Sequence, residues 1–347
     1  MSSSKGKPKL SVFFSNPNFI TSFKDHFEDA FSLSWNKLPF TPPPNRWTPF
    51  LSIASFPFRL AYKKMKTLSR SRNSDIVFVE FADETLAFVS KWRKNKTIVT
   101  RLHRYELFNL PKADWDAIDL VIVVNEWMGK NLELAVPALK GKIKCVRNFV
   151  DLSHWQRPEV DERTNVLSIV GNIDKRKGHH KAITAFSKVL EKKEDLVLNI
   201  IGKSADKKFY DELQILVSDL NLQNKVNFLG FSQDLKLDFQ KSDIILSFSE
   251  HESTHLTLFE GLSCGAWPLS RNWDGVDEFL PSDNIFTNDS EFVEQVLSFY
   301  NSPESDTASK LDELSEKVIP KFSNPDPRQI MVDCVSNLYK IRTKDKV

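Results

Sequence analysis

Two hydrophobic periods alternate along most of this chain. Continuous apolar runs at residues 75–81, 97–102, 119–124 and 143–146 read as strands, the third of them buried on both faces. Between them, residues 84–94 and 127–134 place their apolar side chains at helical spacing, with Leu86, Val89 and Trp92 on the first helix. An earlier run at 10–14 predicts a strand. Residues 20–31 predict a helix with Phe23, Phe27, Ala30 and Phe31 on one face. A second and cleaner alternation follows, with strands at 165–170, 196–201, 226–229 and 243–248. Its helices span 181–190, with Ala182, Ile183, Ala185, Phe186, Val189 and Leu190, and 207–220, with Phe209, Leu213, Leu216, Val217 and Leu220. Strands alternating with helices predict parallel, doubly wound α/β sheets. A charged linker at 152–163, containing Pro158, separates the two sets. Beyond residue 290 the chain is helical and polar, breaks across 320–327, and resumes as a last helix at 328–341.

The strand at 243–248 runs into a polar loop and then an apolar-periodic helix, over the stretch Ser249 to Gly261. Ser253 or Thr254 is placed to cap that helix, and Gly265 to stop it. The free N–H groups and positive dipole end of such a helix suit a phosphate. Glu252 then lies at the mouth of the site. Glu260, roughly two turns into the helix, reaches a hydroxyl-bearing group beyond the phosphate. A second glycine-bounded loop, Gly171-Asn172-Ile173-Asp174-Lys175-Arg176-Lys177-Gly178, also follows a strand and offers cations to the same kind of ligand.

Residues 251–255 also spell His-Glu-x-x-His, the zinc-hydrolase pattern. That chemistry needs one continuous helix through both histidines and a third ligand. The sequence instead gives strand, loop, helix with no third ligand at the familiar spacing, so no metal site is expected.

The spacing Glu252-x7-Glu260, with Leu256 inside it and Gly265-Ala266-Trp267-Pro268 behind, resembles the signature of the retaining glycosyltransferases of the GT-B fold, family 4 (glycosyl transferases group 1). The loop 171–178 resembles that family's Gly-Arg-x4-Lys-Gly: Gly171, Lys177 and Gly178 match, and Asn172 stands in place of the arginine. The family's Gly-Phe-Gly is replaced by Ser253-Thr254-His255. Ser15-Asn16-Pro17-Asn18 replaces a glycine-rich first loop. Asn148, Val150 and Asp151 resemble the family's entry into its second domain, and Gly275-Val276-Asp277-Glu278 its Gly-x-x-Glu.

The resemblance implies two Rossmann-like domains facing a cleft: an acceptor domain at 1–151, a nucleotide-sugar domain at 152–325, and a C-terminal helix at 326–347 crossing back to the first. It implies transfer of a sugar from a UDP or GDP type donor, with retention, to a glycan or lipid-linked saccharide. Glu252 contacts the transferred sugar. Glu260 holds the ribose, and His103, in Arg101-Leu102-His103-Arg104, lies near the donor sugar or acceptor. Lys177 neutralises the leaving diphosphate, with Lys175 or Arg176 able to substitute for the lost arginine. Gly171, Asn172, Ser253, Thr254, His255 and Leu256 line the donor site. The nucleotide-diphosphate sugar is a co-substrate, and no metal or other cofactor is implied. A catalytically degenerate relative that serves as a binding partner is the alternative raised by Asn172 and the missing glycines.

Composition narrows this little. The 347 residues suit about two domains, and 41% hydrophobic content supports full cores. The net charge of +2 gives no global nucleic-acid signal. Three scattered cysteines indicate neither a disulfide framework nor a zinc cluster and fit a cytoplasmic compartment. Phenylalanine is abundant, at 27, for which core filling is the simplest use. Charge does change the picture locally. No acidic residue lies between Asp29 and Asp75, while eight cations interleave with Trp35, Phe40, Trp47, Phe50, Phe56, Phe58 and Tyr62. Pro42-Pro43-Pro44 makes the first half a loop. Residues 56–68 read as a basic amphipathic helix, and 46–72 as a peripheral contact with an anionic membrane, the inner face included.

Overall fold

A computed structural model describes residues 6–39, 50–92, 95–158 and 163–344, with side chains from residue 56 in the second of these. Phe40, Pro42-Pro43-Pro44, Arg46, Trp47 and the termini lie outside the described residues. So do the side chain of Phe50 and linker residues 159–162. The chain divides into two compact units: Met1–Phe149 with Asp326–Val347, and Val150–Pro325.

In the first unit the strands are β1 (Lys9–Phe14), β2 (Ser32–Lys37), β3 (Ile76–Glu80), β4 (Thr97–Arg101), β5 (Leu120–Val123) and β6 (Ile143–Cys145). They form one sheet in the order β2-β1-β3-β4-β5-β6, every pair parallel. Burial of both faces explains the unbroken apolar runs. One face packs Phe13, Val77, Leu86, Val121 and Met128. The other packs Val12, Phe27, Phe78 and Ile122 with Met331, Val332 and Val335 of the last helix, Pro327–Lys344. Arg342 of that helix donates to Asp119, 2.6 Å away, just before β5.

The strand β2 is absent from the sequence reading. Its sequence, Ser-Leu-Ser-Trp-Asn-Lys, is an edge strand only partly buried, so no apolar run marks it. The basic helix is longer than expected, Phe50–Ser71, and carries no acidic residue. Its inner face is polar: Lys63, Thr67 and Ser71 are buried, with Lys63 held by Asp83 at 2.5 Å.

In the second unit the strands are β7 (Val166–Val170), β8 (Val197–Ile201), β9 (Val226–Gly230), β10 (Ile244–Ser247), β11 (Trp267–Arg271) and β12 (Ile285–Phe286). Their order is β12-β11-β10-β7-β8-β9, again all parallel. In chain order this is 6-5-4-1-2-3, the doubly wound arrangement that reverses direction between β7 and β10. In doubly wound sheets such a reversal marks the crevice where ligands bind, between the loops that leave the carboxyl ends of the two strands. Both stretches singled out in the sequence, 171–178 and 249–261, begin there. Phe186, Phe209, Phe248 and Phe292 fill one face, and Phe239, Phe259, Phe279 and Phe322 the other, so core filling accounts for much of the phenylalanine. Among the described residues no helix is long and apolar enough to cross a membrane.

Candidate active site

The site in the second unit is built on glycines that the backbone cannot replace. Gly202, at the end of β8, has φ of +154°, and a Cβ there would lie 1.8 Å from the carbonyl oxygen of Gly171. Gly178 has φ of +71°, and its Cβ would lie 2.2 Å from the Phe248 carbonyl oxygen. These close approaches bring the 171–178 loop against the loop after β10. Asp174 caps the turn Lys175–Lys177 by accepting from the Lys177 N–H. The helix His179–Leu190 follows.

Across the crevice three side chains meet. The Lys177 ammonium lies 2.7 Å from Glu252 Oε1 and 3.1 Å from His255 Nε2. Arg176 donates to the same Glu252 oxygen at 2.9 Å and to the His251 carbonyl at 2.7 Å. Burial opposes ionisation of Glu252, but its neighbours His255, Lys177 and Arg176 outweigh that and hold its carboxyl well below the usual range. Lys175, the other offered substitute for the missing arginine, lies over the Phe209 ring instead. The structure thus brings Arg176, not Lys175, to Glu252.

The helix after the loop is Leu256–Ser263, shorter than the sequence suggests. Its N-cap is His255, not Ser253 or Thr254. His255 takes φ of +56°, and no side chain caps the helix. Consequently Glu260 stands little more than one turn in, not two. Gly265, with φ of +102°, follows the last turn as expected. The described residues give the Glu260 carboxylate no hydrogen-bond or ion-pair partner, and burial alone pushes it up to about 7. An unpartnered carboxylate one turn into a helix at the crevice is an acceptor awaiting donors.

The two histidines of the His-Glu-x-x-His pattern do not share one helix. His251 is exposed in the loop, the helix begins only at Leu256, and both His255 nitrogens are engaged, with Ser247 Oγ at 2.6 Å and with Lys177. Among the described residues no group of three His, Cys, Asp or Glu side chains is placed to hold a metal.

In the first unit His103 also lies at the carboxyl end of a strand, and a charged cluster surrounds it. His103 Nε2 is 2.8 Å from Glu80 Oε1, and Arg101 Nη1 is 3.5 Å from the same oxygen. Arg101, fully buried, also donates to the Phe19 carbonyl at 2.9 Å and to Asn148, and stacks on Phe23. Phe81 and Phe19 pack on the imidazole. Burial, with Arg101 adding to it, lowers the His103 pKa, although Glu80 opposes the shift. Glu106 turns back to accept from the His103 N–H at 2.8 Å, and burial raises it to about 8. Glu80 escapes the sequence reading. A carboxylate closing an otherwise apolar strand run is the signal that could have found it.

Residues 153–317 match the family model of the glycosyl transferases group 1. N-acetyl-alpha-D-glucosaminyl L-malate synthase of Bacillus anthracis is 27% identical over 248 residues, 65% of this chain and 64% of that protein. A 4-alpha-N-acetylgalactosaminyltransferase of Campylobacter jejuni, acting on a diphospho-undecaprenol-linked saccharide by its name, is 28% identical over 239 residues, 62% of each chain. The chain thus spans somewhat under two thirds of the length of these relatives. Among solved structures, HepE of Anabaena in complex with UDP and glucose superposes with a TM-score of 0.76 at 15% identity, covering 95% of this chain and 99% of that one. Sucrose-phosphate synthase of Thermosynechococcus elongatus does so with a TM-score of 0.75 at 12% identity, covering 96% and 100%. The fold is therefore the α/β GT-B fold, and residues 153–317 are similar to the glycosyl transferases group 1 domain.

Proposed function

We propose that the protein is a retaining glycosyltransferase that moves a sugar from a UDP or GDP type donor to a glycan or lipid-linked saccharide. The observation that carries this is the convergence at the β7/β10 crevice. Two cations, Arg176 and Lys177, share a carboxylate, Glu252, and an unpartnered Glu260 stands on the helix beside it. A diphosphate takes the cations, the ribose hydroxyls donate to Glu260, and Glu252 is released toward the sugar. UDP in the HepE complex favours the uridine nucleotide. Leaving-group charge is offset by Lys177, Arg176 and the open amides of the helix at Leu256, with no metal ion and no protein nucleophile. In the first unit His103, fixed by Glu80, is the polar group offered near the transferred sugar or acceptor.

The basic helix supplies the reading of the acceptor. Phe58, Tyr62 and Met65 are exposed by 79%, 53% and 65%, with Leu68 continuing the same stripe and Lys64, Arg70 and Arg72 around it. Aromatic and apolar side chains within a wholly cationic helix match an anionic membrane surface. The diphospho-undecaprenol saccharide in the Campylobacter relative's name belongs to the same chemistry. We infer from this helix a cytoplasmic protein peripheral at the inner membrane face.

The test is to incubate the protein with UDP- and GDP-sugars in EDTA and follow nucleoside diphosphate release and the anomeric signal of the product by NMR. Release with an α-product from an α-donor supports the proposal. Nucleotide binding without turnover, across donors and lipid-linked acceptors, favours a degenerate binding protein, the reading that Asn172 raises.

A further inference from the structure

Where the group 1 glycosyltransferases commonly have glycine, this chain has His255, and it keeps the glycine-like backbone, with φ of +56° and ψ of +64°. An L-residue held there is strained, and such strain persists where the surroundings over-determine it. Here the surroundings are specific. The imidazole is buried, folded back under the loop between Ser247 at the end of β10 and Lys177. An ammonium can only donate, so His255 Nε2 is the acceptor, and Nδ1 carries the hydrogen that goes to Ser247 Oγ. The ring is therefore neutral. Burial and the nearby Lys177 and Arg176 favour that state, lowering the imidazole to about 3 against the opposing Glu252 and Val170 carbonyl.

Lys177 accordingly has two acceptors of different kinds. Glu252 is charged and lies at the mouth of the crevice. His255 is neutral and lies behind. The ammonium also sits against Gly171, whose missing side chain leaves it room: a Cβ there would lie 3.5 Å from Nζ. We propose that His255 is a positioning residue that holds the Lys177 ammonium at the diphosphate while Glu252 is released to the sugar. A neutral acceptor anchors the lysine without competing with the diphosphate for its charge. The anchor matters more here because Asn172 has removed one cation from the site. This inference rests on the donor-site reading above.

The test uses UDP and UMP as probes, with calorimetric titration of the full chain and its His255→Gly and His255→Gln variants. Glycine relieves the backbone strain and so keeps the fold. Glutamine restores an acceptor at about the reach of Nε2. His255→Gly is expected to weaken UDP roughly tenfold, the order of one hydrogen bond to a charged group, and UMP less than about twofold, with His255→Gln recovering most of the loss. Equal weakening of UDP and UMP, or unchanged UDP binding in His255→Gly, overturns the inference while leaving the donor site standing. A wild-type protein that binds no nucleoside diphosphate overturns the donor reading and this inference with it. The imidazole state is read separately, by long-range proton–nitrogen NMR on the wild-type chain. The Nδ1–H neutral ring is expected from about pH 5 to about pH 8. An Nε2–H ring or an imidazolium would contradict the Lys177 contact.

Discussion

Replacing Glu260 by glutamine should make the protein more stable and less able to bind nucleotide, with the gain depending on pH in one direction. The Glu260 carboxyl is raised from 4.5 to about 7 by burial alone. Below about pH 4.5 the group is protonated in both folded and unfolded chains, so it contributes nothing. Between about 4.5 and 7 the folded protein keeps a proton that the unfolded chain releases, and each pH unit costs the fold about 1.4 kcal/mol. Above about pH 7 both forms are ionised and the cost is complete. A shift of about 2.5 units sets it at up to about 3 kcal/mol. Chemical denaturation of wild type and Glu260→Gln at intervals from about pH 4.5 to 8 measures the difference. The variant's advantage should rise from near zero to a plateau of about 2–3 kcal/mol above neutrality. Its UDP affinity should meanwhile fall at least tenfold, since a neutral amide replaces the proposed ribose acceptor. A stability difference that is flat with pH would refute the half-buried, unpartnered carboxylate on which the proposed ribose contact rests.

Three further outcomes follow from the geometry. Gly202→Ala should cost at least about 2 kcal/mol, because its Cβ cannot coexist with the Gly171 carbonyl, and should weaken nucleotide binding through Lys177; thermal unfolding and titration read both. Arg101→Met leaves Glu80 buried without its guanidinium partner, and denaturation should show a loss of about 3–5 kcal/mol. The triple change Phe58→Ser, Tyr62→Ser and Met65→Ser should leave the melting temperature within about 2 °C, since these side chains are exposed, yet abolish sedimentation with anionic vesicles. Equal recovery of wild type on neutral and anionic vesicles would remove the membrane reading.

The strands that the sequence shows plainly are those buried on both faces, such as Leu120–Val123 and Ile244–Ser247, where sheet packing demands an unbroken apolar run. The edge strand Ser32–Lys37 and the short helices Arg104–Phe108 and Leu235–Gln240 leave no comparable trace. One is half exposed, and the others are too short to set a period. The site divides similarly. Lys177 and Glu252 are legible because glycines and a strand–loop–helix pattern frame them. The start of the helix at Leu256 is not, because His255 takes a backbone conformation that propensity assigns to glycine. The role of His255 is hidden for a different reason. Its partner Lys177 is 78 residues away and is brought near only by the reversal of strand order between β7 and β10. Arg176 is selected over Lys175 by which way a three-residue turn points, which no spacing encodes.

The nucleoside diphosphate site proposed at the β7/β10 crevice is tested by titration of UDP, GDP and ADP, in EDTA, into wild type and Lys177→Met. One nucleotide should bind wild type with micromolar affinity and lose at least tenfold in the variant, while the corresponding monophosphate changes little. No binding by any of the three, or equal binding by wild type and variant, would contradict the account.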